Sequence, residues 1–450
     1  MLDLIGPAWL SCGVPSDHVQ FNPILTDTVA WLAGCTSLPA DVEAKARLLI
    51  LDTLGCLLAG LRHPEAQQLG RALALAFPGD MAWPGSDIRL GPAGCAALGA
   101  AAACWDEACE GNASAHGRPA LPVVPTLLVL GAQREATLAE LLLALVTGYE
   151  VGTRAGEAWR IPPGLHVDGS WHSLGVAAAV ARLVTGADAI TAAIEAAACQ
   201  IPASLYLPIT AGSVVRNTYV SHAALLGLLA GAAADAGFAT PSGALDEGRR
   251  RVLRATEPAQ ITPAGDWTIR AGYLKPFAGV RHTHYGVEAG LRLREQSGFA
   301  VDKVRGITLD IYEEATRYCG NRAPRSAIQA QFSLSYAIAT ALVLGDLGPE
   351  AYLHVGANAT IARLEQFAVI NVDPRRTGRG ATLTIELGEQ RLSEEVDSVA
   401  GDPGRAMSAD EVIAKFRRYA EPTVGTSRAA ALTAFFLHAD GRSQISGVLS

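Results

Sequence analysis

Apolar residues recur at helical spacing along most of the first 260 positions. The stretch 41–62, DVEAKARLLILDTLGCLLAGLR, sets the pattern: Ile50, Leu54, Leu57, Leu58 and Leu61 share one stripe, preceded by the N-cap-competent Asp41 and by Glu43, an acid for the first turn. Similar alanine- and leucine-rich segments follow near 93–108, 137–158, 172–185, 188–199, 218–237 and 325–344, separated by Gly, Pro and Asn. The pattern changes after Trp267. KVRGITLDIY (303–312) and ATLTIEL (381–387) alternate like half-buried strands, with the helical pattern of 329–344 between them. GDPGRAMSADEV then supplies a turn and a capping box, Ser408 to Glu411, leading into a last helical stretch.

These periods predict a mainly α protein. A large all-helical domain, 1–267, is completed by 401–450, and a smaller α+β domain, 268–400, is inserted before the C-terminal segment. The 450 residues suit two domains, because single cores stop growing beyond roughly 250–300 residues.

Half of the residues are hydrophobic, so a membrane protein has to be considered. A clean apolar run at 223–234 is closed by Asp235. It falls short of the roughly 20 residues that a spanning helix needs, and its Ala/Gly content suits close-packed buried helices; no membrane association is expected. The formal net charge of −8 argues against a nucleic-acid partner, and Arg249, Arg250, Arg251 and Arg254 read as a solvated helix face. Eight cysteines with no CxxC pair indicate neither a zinc knuckle nor a disulfide framework, and read as small core residues. MLDLIGPAWLSCG has an acid and no early basic cluster, so it does not read as a secretory leader, and a cytoplasmic location is the expectation.

No GxGxxG follows a strand, and GxxxxGK[ST], GxSxG and HExxH do not occur, which leaves nucleotide, phosphate-loop, hydrolase-elbow and zincin chemistry without sequence support. Acid–base chemistry remains. Polar residues interrupt apolar stretches at Asp106, Glu107, Glu110 and His116 in CWDEACEGNASAH, at His172 in DGSWHSLG, at Arg216 and His222 in VVRNTYVSH, and in YLKPFAGVRHTH, 273–284. Asp106 suits an N-cap or a buried hydrogen-bonded carboxylate as well as catalysis. His172 sits where a helix should begin. His282 and His284 have metal-ligand spacing if their segment is extended, but no carboxylate or cysteine lies close in sequence, and no metal is expected. Lys275 is one of only four lysines, with Lys45, Lys303 and Lys415, in a chain whose other basic residues are arginines. Between Leu274 and Pro276 it is open to desolvation, and desolvation with a neighbouring cation such as Arg281 or His282 lowers a lysine pKa toward the range of a base. The alternative is a stem packed on apolar surface with its head in water.

ILDTLGCLLAG, GYEVGTRAGEAW, GSWHSLGVAAAVARL, LKPFAGVRHTH, AQFSLSYAIATAL and GDPGRAMSADEVIAKF, in that order from about residue 50 to 416, resemble the landmarks of the MmgE/PrpD family. Its members include 2-methylcitrate dehydratase, cis-aconitate decarboxylase and iminodisuccinate epimerase. The resemblance implies the two-domain fold above, a homodimer, a small carboxylate substrate and a site between the domains that uses no cofactor. It also implies removal of a proton or a carboxylate beside a carboxylate-bearing carbon, which calls for a base, a proton donor and cations.

Carried over by position, the resemblance implies Asp106, His116, His172, Lys275 and Tyr336 as catalytic residues. Lys275 would be base or electrostatic partner, His172 and His116 the acid/base candidates, and Asp106 a residue orienting a histidine or handling a proton. Arg216, Arg281, His282 and Glu110 are the substrate-binding candidates, the arginines through bidentate contacts to carboxylates. The chain departs from the family where relatives show His-x-x-Asp-x-Asp-Asp: Ala103 to Cys109 retain one aspartate of three. Glu110 stands where cis-aconitate decarboxylase has threonine, and Arg216 where several relatives have lysine. A charged Glu110 would repel a tricarboxylate, which points to a less anionic substrate or one bearing an amine. Three functions follow: a dehydratase-like lyase of a small di- or tricarboxylate; an epimerase or isomerase of a small, amine-bearing dicarboxylate such as iminodisuccinate; or an inactive dimer that binds small acids. Convergence of the five catalytic candidates on one cleft would favour the enzymes.

Overall fold

The computed structural model describes residues 24–353 and 355–447; the opening segment and Cys12 lie outside them. Seventeen α-helices and a few short strands make up the described residues, a mainly α fold with a smaller α+β part. The helix Ala40–Gly60 is buried along nearly all of its second half and packs between Ala409–His438 and Pro92–Cys104. Leu138–Ala158 packs on His172–Val184, which packs in turn on Thr218–Asp235. The glycine and alanine content is what lets these helices approach. A Cβ on Gly148 would lie 2.6 Å from the Gly175 carbonyl oxygen, and one on Gly175 would lie 2.7 Å from that of Gly148, so the backbones touch where a side chain would hold them apart. Among the described residues no helix is long and apolar enough to cross a membrane.

Both predicted strands form. Val304–Ile311 and Ala381–Leu387 pair antiparallel at the centre of a four-stranded sheet, with Ala368–Val372 parallel on the outer side of the first and Gln390–Val396 on the outer side of the second. Ile307, Leu309 and Ile311 are buried at alternate positions, and the helix His284–Arg294, itself packed on Leu334–Leu344, covers the sheet. The expected capping box is present at Ser408 and Glu411, and the helix that it opens returns to pack on Ala40–Gly60.

Local readings need correction in three places. Asp41 is not the N-cap: the helix begins at Ala40 after Pro39, and Asp41 lies in its first turn, paired with Arg270. Arg249 is buried rather than solvated, donating to the Ala158 and Glu257 carbonyls. Residues 281–283 form a 3-10 turn, so the rings of His282 and His284 do not share the side that an extended segment would give them. His282 meets the Tyr312 hydroxyl at 2.6 Å, and His284 approaches Arg281 and the Gly279 carbonyl. Of the described cysteines, Cys56, Cys95, Cys104, Cys109 and Cys319 are buried and none forms a disulfide; Cys199 is exposed.

The helical part contains two-residue ladders that its period did not announce. Gly111–Asn112 pairs with Gly272–Tyr273, and Leu165–His166 with Ser204–Leu205. The first ladder fastens the loop after Pro92–Cys104 to the segment that leads into Lys275. The second fixes the chain just before His172–Val184.

Candidate functional site

These ladders frame a cavity of about 350 Å³ bounded by the 107–118 loop, residues 165–168, residues 273–282 and Arg379 of the 373–380 connection. Residues 105–110 are held from several sides. The Trp105 carbonyl accepts from Gln331, the Asp106 carbonyl from the Gly279 amide, the Glu107 carbonyl from Lys275 and the Ala108 carbonyl from Lys415. Asp106 Oδ1 accepts from His63 Nε2 at 2.9 Å, and Glu110 Oε1 from the Ala120 amide. So many partners hold Glu107 at φ 52°, a left-handed conformation unfavourable for a side chain; His116 has φ 53°.

Lys275 is buried against this loop. Its Nζ donates to the Glu107 carbonyl at 2.7 Å, to Glu107 Oε2 at 3.1 Å and to the Gly279 carbonyl at 3.4 Å. Burial, and secondly the Arg118 guanidinium, lower its pKa to about 8. Glu107 also accepts from Arg216 and Arg118, and Asp168 pairs with Arg118. Burial would push the Asp168 carboxyl up, but Arg118, His166 and His172 hold it well below the usual range. The donor atoms of Cys104, Glu107 and Asp168 lie within 4.8 Å of one another, as in a cation site. Arg118 and Arg216 already serve that cluster: Cys104 Sγ accepts from both, at 3.2 and 2.9 Å.

His166 faces the cavity in a defined tautomer. The Asp168 amide donates to its Nδ1 at 3.1 Å, so that nitrogen keeps its lone pair and the neutral ring carries its proton on Nε2. Burial lowers the His166 pKa and favours this neutral form.

Four of the nine sequence candidates line the cavity: His116, Lys275, Arg281 and His282. Arg281 is fixed by Asp402 and lies over the Tyr273 ring, 4.8 Å from its centroid. Five do not line it. His172 is fully buried, stacked on Trp171, with Nε2 3.9 Å from Asp168 Oδ1, and burial brings its pKa to about 3; it stands behind Asp168. Asp106 turns to His63. The Tyr336 hydroxyl donates to the Ala351 carbonyl at 2.6 Å. Arg216 is consumed by Glu107, Cys104 and Asn217. Burial raises the Glu110 pKa to about 8, which makes it an uncharged acid at neutral pH outside the cavity and removes the repulsion argued from its charge.

Glu107 was noticed as a polar interruption but given no role, and the charged or histidine lining residues that sequence reasoning passed over are Arg118, Arg160, His166, Asp168, Glu314 and Arg379. His166 carried one usable signal, an aspartate two positions on in GLHVDG; the others had none. The lining brings five formal cations, Arg118, Arg160, Lys275, Arg281 and Arg379, against three acids, Glu107, Asp168 and Glu314. In a chain of net charge −8, that local excess suits an anion.

Comparison with known proteins agrees with the order of landmarks. The MmgE/PrpD N-terminal domain matches residues 27–261, and the MmgE/PrpD C-terminal domain matches residues 277–439. A cis-aconitate decarboxylase of Aspergillus terreus is 25% identical over 366 residues, 73% of each chain. A cis-aconitate decarboxylase-like protein, oryM, of Aspergillus oryzae is 24% identical over 434 residues, 87% of this chain and 89% of that one.

Proposed function

The chain belongs to the MmgE/PrpD family, and from that premise and the cavity's chemistry we propose a cofactor-independent lyase of a small di- or tricarboxylic acid. The observation that carries the reading is Lys275: a buried amine with pKa about 8, on the wall of a cavity with excess positive charge. At pH 7 a lysine of pKa 8 is about one-tenth neutral, roughly 300 times the neutral fraction at its ordinary 10.5. Neutral Lys275 takes the proton from the carbon beside a substrate carboxylate. The electron pair left on that carbon forms the alkene as the neighbouring hydroxyl departs, held by a hydrogen bond from the neutral His166 Nε2–H, and the proton now on the Lys275 ammonium passes to that hydroxyl to make water. Arg118 and Arg281, rigidly paired, stabilise the charge that develops on the carboxylate without having to reorganise. The reading includes a homodimer, supported by the exposed Leu205, Leu207, Val214 and Val215 around one segment.

The test is proton NMR of hydroxylated, aminated and unsaturated di- and tricarboxylates incubated with the protein in deuterated water. A new alkene signal supports the lyase. Deuterium entering a C–H position with the skeleton unchanged would replace it with the epimerase. Silence with saturable binding of one acid would leave an inactive small-acid binder.

A further inference from the structure

Arg379 stands apart from the other cavity arginines. Arg118, Arg160 and Arg281 are each held by a hydrogen bond to a protein oxygen, at Asp168, the Ser114 carbonyl and Asp402. Among the described residues Arg379 has no hydrogen bond, and its nearest acid is Glu314, with Nη2 3.9 Å from Oε2. A guanidinium with five donors in a planar fork, facing a cavity and held only by that long ion pair with no hydrogen bond, is prepared for a carboxylate.

Its placement is built rather than accidental. The connection from Ala368–Val372 to Ala381–Leu387 is anchored by Arg376, which donates to Asp397 Oδ1 at 2.6 Å, Glu395 Oε1 at 2.6 Å and Thr382 Oγ1 at 2.8 Å. A Cβ on Gly380 would lie 2.6 Å from Arg376 Nη1 and 2.8 Å from Asp397 Oδ1, so a side chain at the neighbouring position would press on both ends of this anchor. Arg379 therefore leaves a fixed base and reaches the cavity.

Depth separates it from the reacting end. The Arg379 side chain is 32% exposed and that of Lys275 only 3%. His282 lies under the influence of both, and His116 under that of Arg379 and Arg160 at the mouth. A ligand whose reacting carbon meets the buried Lys275 must extend toward the more exposed part of the lining to reach Arg379.

We propose that Arg379 is the specificity-determining residue for a second, distal carboxylate of the substrate, gripping it bidentately at the cavity mouth. This rests on the small-polycarboxylate reading above. Selection follows from geometry: a monocarboxylate satisfies the deep cations and leaves Arg379 unused, whereas a di- or tricarboxylate engages both ends.

The test is calorimetric titration of the full-length wild type, R379Q and R379K with tricarballylate, succinate and propionate. Unfolding profiles should match for all three proteins, since Arg379 makes no hydrogen bond within the described residues. R379Q should weaken tricarballylate and succinate about 10- to 100-fold, as expected for loss of one bidentate charged contact, and leave propionate unchanged. R379K, which keeps the charge but loses the fork, should fall between. If R379Q binds tricarballylate and succinate as the wild type does, the inference is overturned and the functional reading survives. An equal loss for propionate also overturns it, because Arg379 would then act on the reacting carboxylate or through its general field. If the wild type binds none of the three acids, the polycarboxylate reading itself fails, and the role of Arg379 fails with it. Should R379Q unfold, R379K carries the same comparison.

Discussion

Replacing Glu110 by glutamine should flatten the dependence of stability on pH between 5 and 8. Glu110 is fully buried, accepts from the Ala120 amide at 2.9 Å, and its other oxygen has no partner. Burial raises its pKa from an ordinary 4.5 to about 8. A carboxyl raised in this way binds its proton more tightly in the folded state, so its contribution is whole below pH 4.5 and declines as pH rises toward 8. The decline is about 1.4 kcal/mol per pH unit, and across the whole gap it amounts to on the order of 5 kcal/mol. The glutamine of E110Q would keep the acceptor for Ala120 and never ionise. With an unfolding entropy of ~2.1 cal/mol/K per residue, the wild type should lose about 1.5 °C of Tm per pH unit relative to E110Q, roughly 4 °C between pH 5 and 8. Calorimetric Tm values of the two proteins at half-unit steps of pH measure the difference directly. Parallel curves over that range would refute the reasoning, because Glu110 would then not be the proton-binding group.

Other outcomes follow from the same contacts. Lys275→Met should abolish turnover in the deuterium assay while circular dichroism retains the native helical signal; an active variant would remove the lysine from the mechanism. In the wild type, kcat/KM should rise with pH through an apparent pKa near 8, the Lys275 value, and a flat profile from 6 to 9 would exclude it as the base. His166→Gln should lower kcat about 100-fold with KM little changed, and equal rates for variant and wild type would leave the ring without a role at the leaving group. Gly148→Ala should cost about 1–3 kcal/mol in denaturant unfolding, because its Cβ would meet the Gly175 carbonyl oxygen at 2.6 Å; an unchanged midpoint would mean that the helices can separate freely.

The sequence by itself determined the secondary-structure types and the broad layout. A 3.6-residue period through the first 260 positions, period-two alternation at 303–312 and 381–387, and the Ser408–Glu411 box are local signals, and local backbone geometry follows them. Lys275 was legible for a similar reason: a rare residue type in an apolar stretch bounded by Pro276 and Gly279 is conspicuous without any fold. Ring direction was not local. His166 and His172 are six residues apart, and the choice between them depended on Leu165–His166 pairing with Ser204–Leu205, which turns one ring to the cavity while the other packs on Trp171. Only the tertiary structure decided the charge states. Glu107 lines the cavity with three cations on it because Lys275, Arg118 and Arg216 reach it from distant segments, and the Glu110 pKa rises because its surroundings exclude water. Desolvation and Coulomb interaction depend on distance in space, and separation along the chain sets neither.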